Sequence, residues 1–247
     1  MIPIGSTIPL QRTPWVTFVV MAACVGLFGF ELYQQYTGRD LAAFFAHYGW
    51  VPAQFSEAVG QGRLPRLLPL LSSIFLHGGW THLIGNLFFL YVFGRHVEDR
   101  LGAGCYVLFF CFGGVAAMLV QTYVAPFSTV PMIGASGAIA AVAGAHCVLY
   151  PTARILTCIP IPFFFRVVRV PTVGYLLVWL VLLFVSEWYL AARSEQLMTW
   201  RAHLGGFVAG VIFGPLSVAI RRRRTRKKRM WRSDSPLIVE NSRSGRP

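Results

Sequence analysis

Residues 131–151 read PMIGASGAIAAVAGAHCVLYP. The stretch is almost entirely Ala, Gly and Val, which is typical of a helix in lipid, yet it opens with Ser136 in the tetrad Gly-Ala-Ser-Gly. A hydroxyl group in hydrocarbon needs a hydrogen-bond partner, and small side chains fill little volume themselves. We therefore expect another part of the chain to pack closely against this helix and to meet Ser136.

The composition is that of a membrane protein. Of 247 residues, 55% are hydrophobic and 13% are charged, whereas soluble domains carry about one quarter charged residues. The five cysteines show no paired spacing, so neither a disulfide framework nor a zinc site is indicated. We expect no metal and no cofactor.

The net charge of +13 owes much to one basic run directly after the last apolar stretch. Such a run is typical of an anchor to anionic lipids at a membrane surface, and its position argues against nucleic-acid binding. The run comprises Arg221, Arg222, Arg223, Arg224, Arg226, Lys227, Lys228, Arg229 and Arg232.

Six apolar segments are candidates to span a bilayer, which takes about 20 residues, or fewer where protein lines a cavity. Thr13 as helix cap and Pro14 at the first helical position mark the start of the first segment. We predict an all-α, polytopic bundle of six transmembrane helices. The predicted spans are residues 14–33, 77–94, 105–123, 137–150, 171–192 and 200–220.

The positive-inside rule puts the basic tail in the cytoplasm, and six spans put the N-terminus there too. We divide the chain into a short cytoplasmic N-terminus (1–13), a six-helix core (14–220) and a basic, disordered cytoplasmic tail (221–247). Short loops without a large soluble domain suit a bacterial inner membrane.

The external connection, residues 34–76, is too apolar to be a free linker. It is expected to be partly helical and to lie in the membrane interface. The cytoplasmic loop IPIPFFFR, residues 159–166, is expected to rest at the interface without chemistry of its own.

Three of the predicted spans run from outside to inside, and each has polar residues near its outer end. His82 and Asn86 in the second span are four residues apart and share one helix face. Ser136 opens the fourth span, and His203 follows the start of the sixth by three residues. With a rise of about 1.5 Å per residue, all four lie within roughly two turns of the outer boundary. Polar groups at this depth usually face a watery cavity and are candidates for function.

Serine is a good nucleophile when a base takes its proton, and histidine is the usual base near neutral pH. Ser136 would reach His203 if the fourth and sixth spans touched. The sixth span carries Gly206, Gly210 and Gly214 at four-residue spacing, which is typical of tight helix contact in lipid. The fourth span offers small residues in reply: Gly137, Ala141, Gly144 and Ala145.

In that arrangement His82, Asn86 and the backbone N–H of Ser136 would donate to the oxyanion that forms on an attacked carbonyl. Each feature alone has an ordinary structural explanation. Ser136 could bond a carbonyl of its own helix, His203 could be an interfacial histidine, and small-residue helices also occur in transporters. The combination at one depth favours the catalytic interpretation.

The other four histidines are interpreted as structural, interfacial or surface residues. His146 lies ten residues past the serine, about 15 Å deeper, and cannot touch it. His96 ends the second span at its cytoplasmic side, and His47 is a surface residue of the external connection. His77 lies one turn outside His82, where we expect a hydrogen bond that holds the external connection.

Four motifs, in their order along the chain, resemble the rhomboid family of intramembrane serine proteases. The likeness extends over about residues 14–220. The motifs are HGGWTHLIGN (77–86), VEDRLG (97–102), GASG (134–137) and AHLGGFVAG (202–210).

This resemblance implies a six-helix core with Ser136 as nucleophile and His203 as base, without an acidic third member. It implies His82, Asn86 and the Ser136 N–H as oxyanion donors. Gly134 would shape the bend that presents the serine. The structural glycines beside the site would be Gly137, Gly206 and Gly210.

The resemblance also implies a substrate class and a gate. The family cleaves membrane-anchored proteins in or near a transmembrane segment, favouring small residues at the cut. Glu98 and Arg100 match a loop motif of structural role. The fifth span, which carries Trp179 and Trp188, would be the gate for substrates.

The sequence departs from the family pattern at two places. Some members have a Trp-Arg pair in the first external loop, and the corresponding stretch here reads RLLPLLSS (66–73). Some members also stack a tyrosine on the catalytic histidine, and Ala140 stands at that position here. We expect another group to orient His203.

We predict an intramembrane serine endopeptidase that cleaves single-span membrane proteins. The alternative is a catalytically silent rhomboid-like binder of client transmembrane helices. A small-molecule transporter would show repeat symmetry between its halves, and the span lengths indicate none.

Overall fold

The structure is a computed structural model that describes residues 1–161, 164–191 and 200–233. It is mostly helical, with one small sheet. In chain order the elements are β1 (Ile2–Ser6), α1 (Trp15–Tyr36), α2 (Leu41–Tyr48), α3 (Pro52–Gly60), α4 (Pro69–Ser72), α5 (Trp80–Phe89), α6 (Arg95–Leu101), α7 (Ala103–Val124), α8 (Ser136–Leu149), β2 (Arg154–Ile161), β3 (Phe164–Pro171), α9 (Thr172–Ala191) and α10 (Trp200–Ser233).

Helices occupy all six segments that the sequence predicts to be apolar helices. The second is composite, because α5 continues through a π-helical turn, Leu90–Gly94, into α6. In the described part of the chain three helices are long and apolar enough to cross a membrane, at Trp15–Tyr36, Ala103–Val124 and Trp200–Arg221. Shorter apolar helices lie at Ser136–Leu149 and Thr172–Ser186. The fold therefore has membrane-protein character.

Helix α8 lies at the centre of the bundle. Its residues 138–146 are all buried, and it contacts α5, α6, α7, α9 and α10. Small side chains make this possible, since a side chain on Gly113 of α7 would overlap Ala141. The Ala- and Gly-rich composition of α8 thus lets neighbouring helices approach its backbone on several sides.

At the start of α1 the prediction of Thr13 as the helix cap is wrong. Pro14 is the cap residue, and no side chain of the local sequence caps the helix. The carboxylate of Glu98 in α6 instead accepts hydrogen bonds from the N–H groups of Val16 and Thr17, at 2.9 and 2.7 Å, and from the Thr17 hydroxyl at 2.7 Å. Glu98 therefore has the structural role that the family resemblance implies, and it fastens α1 to α6.

A three-stranded antiparallel sheet corrects the all-α prediction. Strand β1 pairs with β2, as in Ile2 opposite Cys158, and β2 pairs with β3 in a hairpin. The sheet uses the segment predicted as a short cytoplasmic N-terminus and the loop IPIPFFFR, of which residues 162–163 lie outside the described residues. Strand pairing over a long sequence separation gives two short segments a regular structure that neither has alone.

Two other segments differ in detail from the prediction. The external connection is partly helical, as expected, because α2, α3 and α4 lie within it. Helix α10 passes the predicted core boundary at residue 220 and ends at Ser233. The predicted disordered tail is thus helical in its first part, and residues 234–247 lie outside the described residues.

Candidate active site

Helices α8 and α10 meet backbone to backbone. A methyl group on Gly206 would overlap the carbonyl oxygen of Gly137, and one on Gly210 would overlap the carbonyl oxygen of Ala141. Further along, Gly214 faces the side chain of Ala145 with no space for a carbon atom between them. The glycines at four-residue spacing in α10 form this contact, which brings the first turns of the two helices together.

The loop before α8 bends at Gly134, which has a φ angle of +115°. Residues with a side chain rarely adopt this backbone conformation. The Gly134 N–H donates to the carbonyl of Ser73 at 2.8 Å, and a methyl group at Gly134 would overlap the imidazole of His82. The bend therefore brings the chain against His82 two residues before Ser136.

A cavity of about 450 Å³ contains all four candidate residues in its lining. Ser136 at the start of α8, His203 in α10, and His82 and Asn86 in α5 line it together. Asn86 and His203 are buried, and Ser136 is partly buried. Because Ser136 is the first residue of its helix, its N–H has no carbonyl partner within that helix. The cavity thus combines a hydroxyl group, an imidazole and several N–H donors.

Trp179 of α9 forms part of the cavity wall and contacts His203. The two rings are 6.1 Å apart between centroids and nearly perpendicular, at 88°. Trp179 also packs on Phe89 of α5, with 5.1 Å between ring centroids. Trp179 therefore supplies an aromatic contact to His203 from a different helix than Ala140, where some family members have tyrosine. By contrast, Trp188 on the same helix is 64% exposed.

His77 makes a contact that the sequence does not indicate. Its Nε2 atom lies 3.0 Å from Nδ2 of Asn86, and its backbone N–H lies 3.1 and 3.3 Å from the two carboxylate oxygens of Glu31. His77 precedes α5, so helical periodicity does not connect it to Asn86. We expected a hydrogen bond of His77 that holds the external connection, whereas this contact reaches Asn86, a residue of the cavity lining.

The remaining histidines lie outside the cavity lining, as predicted. His96 is buried, and its two ring nitrogens face the carbonyls of Val92 and Ile8. His146 is fully buried and packs on Phe93, with 5.1 Å between ring centroids. His47 is exposed and bonds Arg66 in the external connection. Within the described residues, no group of three His, Cys, Asp or Glu side chains is arranged to hold a metal ion.

The family model described as the Rhomboid domain matches residues 64–220, which is more than half of the chain and includes all four cavity residues named above. The chain belongs to the rhomboid family. The match covers α4 to the apolar part of α10 and leaves out β1, α1, α2 and α3.

Curated relatives come from eukaryotic organelles. Rhomboid-like protein 11, chloroplastic, of Arabidopsis thaliana is 43% identical over 75 residues, covering 30% of this chain and 26% of that protein. Presenilin-associated rhomboid-like protein A, mitochondrial, of Danio rerio is 29% identical over 74% of this chain and 45% of that protein. Rhomboid protein 1, mitochondrial, of Saccharomyces cerevisiae is 27% identical over 65% and 45%, respectively. This rhomboid chain thus spans less than half the length of these relatives.

Proposed function

We propose that this rhomboid chain is an intramembrane serine endopeptidase with a Ser136–His203 dyad. The observation that carries the proposal is that Ser136 and His203, from two different helices, line one cavity together with His82 and Asn86. A hydroxyl, a general base and oxyanion donors are the groups that acyl transfer requires.

The reaction follows from these groups. The Ser136 hydroxyl attacks the scissile carbonyl while His203 takes its proton, and the carbon–nitrogen bond then breaks as His203 returns the proton to the leaving amine. Water then attacks the acyl-enzyme while His203 takes its proton. His203 returns the proton to the Ser136 oxygen as the carboxylic acid is released. In both steps His82, Asn86 and the N–H of Ser136 stabilise the negative oxygen.

The proposal includes a membrane arrangement of six spans, formed by α1, the composite α5–α6, α7, α8, α9 and α10. Both termini then face the cytoplasm, and α9 separates the cavity from lipid. The substrates are membrane proteins with a single transmembrane segment, which reach the cavity beside α9. The basic residues that follow residue 220 bind anionic lipids; beyond Arg221 their side chains lie outside the described residues.

The compartment stays a prediction. The sequence suggested a bacterial inner membrane, whereas the named relatives are mitochondrial or chloroplastic and give that compartment no support.

The test uses the purified full chain in detergent or vesicles with a fluorescent single-span substrate. Ser136→Ala and His203→Ala should each abolish cleavage, and a fluorophosphonate probe should label the wild type but not Ser136→Ala. Ser217→Ala is the matched control, because the Ser217 hydroxyl bonds the carbonyl of Phe213 in its own helix. Cleavage by Ser136→Ala at the wild-type rate would refute the mechanism, and capture of substrate without cleavage would favour the binder alternative.

A further inference from the structure

Asn86 is held by a side chain that lies outside the cavity lining. Its Nδ2 atom is 3.0 Å from Nε2 of His77, and both residues are buried, with 7% and 1% of their surfaces exposed. An amide nitrogen can only donate a hydrogen bond. Nε2 of His77 must therefore be the acceptor and carry a lone pair.

The other ring nitrogen of His77 fixes this tautomer. Nδ1 lies 3.0 Å from the carbonyl oxygen of Phe75, which can only accept, so Nδ1 bears the hydrogen. A neutral ring with N–H at Nδ1 and a lone pair at Nε2 satisfies both contacts.

Glu31 of α1 holds the backbone of His77. Its carboxylate accepts the His77 N–H at 3.1 and 3.3 Å, and Glu31 is itself only 2% exposed in an apolar helix. A buried carboxylate without hydrogen bonds is costly, so this contact fixes both partners. The His77 ring also packs on His82, with 5.2 Å between ring centroids.

We propose that His77 is a positioning residue that sets the orientation of the Asn86 amide, and that Glu31 fixes His77 in place. This inference rests on the proposed function. A lone pair at Nε2 attracts the amide NH₂ group and repels the amide oxygen of the flipped orientation. One N–H of Asn86 then binds His77, and the second N–H of the same NH₂ group is available to a substrate oxyanion.

The test is a double-mutant cycle on cleavage of a single-span substrate. His77→Leu removes the acceptor at similar volume and should lower kcat about tenfold with little change in KM, because an oxyanion donor acts in the transition state. In an Asn86→Ala background the same substitution should have no further effect on kcat. His77→Gln, whose amide oxygen can accept from Asn86, should restore part of the rate. His47→Leu is the control, because the exposed His47 contacts Arg66 and Tyr48 of the external connection and lies outside the cavity lining.

Equal losses of kcat from His77→Leu in both backgrounds would overturn the proposal. If His77→Leu does not fold, Glu31→Ala gives a second cycle, with Glu31→Gln as the variant that retains an acceptor. Glu31→Ala should lower kcat in the wild-type background but not beside Asn86→Ala, and additive losses would again overturn the proposal.

A separate measurement distinguishes failure of this inference from failure of the proposed function. If the wild type shows no Ser136-dependent cleavage, the side-chain ¹⁵N–¹H signals of Asn86 in the full chain test the hydrogen bond without activity. His77→Leu should shift these signals and His47→Leu should not. Unchanged Asn86 signals in His77→Leu would overturn the positioning role.

Discussion

The backbone of Gly210 in α10 lies against the carbonyl group of Ala141 in α8, with no room for a side chain between them. This contact sets the separation of the two helices whose first turns carry Ser136 and His203. In a lipid environment such contacts depend on close packing, because lipid offers no hydrophobic force between helices.

Gly210→Val should therefore separate the helices. We expect a loss of about 1–3 kcal/mol of unfolding free energy from overpacking. Misplaced reacting groups can cost about 100-fold in rate, and cleavage should fall by up to that factor. Thermal unfolding in detergent and substrate cleavage measure the two effects. Gly29→Val in α1, where nothing lies within 4 Å of the added carbon, should affect both much less. Wild-type cleavage by Gly210→Val would contradict the role of this contact.

Gly134→Ala should lower activity by more than its loss of unfolding free energy alone would explain. The added methyl group meets the His82 imidazole, and the φ angle of +115° adds strain of about 1–2 kcal/mol. Gly38→Ala is the matched control, because Gly38 also has a positive φ angle but open space around it. We expect similar losses of stability from strain, and loss of probe labelling only in Gly134→Ala. Equal labelling of both variants would show that the His82 contact is unimportant.

Glu98→Ala should lower stability without a direct effect on the reacting groups. It leaves the N–H groups of Val16 and Thr17 without their acceptor, at a cost of about 1–3 kcal/mol for each group that stays buried. Asp99→Ala provides the neighbouring control, because the Asp99 carboxylate bonds Gln11 at an exposed position. Unfolding in denaturant or heat compares the two. A smaller loss for Glu98→Ala than for Asp99→Ala would argue against the capping role.

Trp179→Ala should lower kcat by disturbing His203. Aromatic contacts contribute about 0.5–1.5 kcal/mol, so we expect a decrease of between two- and about tenfold. Trp188→Ala on the same helix should change kcat little, because Trp188 is 64% exposed. A widened gate would instead raise the cleavage rate, and a rate increase in Trp179→Ala would contradict the orienting role.

The helices are predictable from the sequence because the length and apolar composition of each run are local properties. A common depth for Ser136, His203, His82 and Asn86 also follows from the sequence, since the rise of a helix converts residue spacing into distance. Three of the missed features depend on residues far apart in sequence. The sheet joins Ile2 to Cys158, Glu98 caps a helix that begins 83 residues earlier at Trp15, and Glu31 holds the histidine that binds Asn86. No local pattern encodes such pairings.

The join between the sheet and α9 has a mechanical consequence. Strand β3 ends at Pro171 and α9 begins at Thr172 with no residue between them, and the N–H and hydroxyl of Thr172 both lie 3.0 Å from the carbonyl oxygen of Ala153. One turn later, the Tyr175 hydroxyl bonds the carbonyl of Met1. These hydrogen bonds hold the N-terminal end of α9 in place. A helix held at one end can tilt about that end but cannot shift along its own axis. If α9 tilted away from the bundle, the opening beside Trp179 would be wider at a greater distance from the sheet.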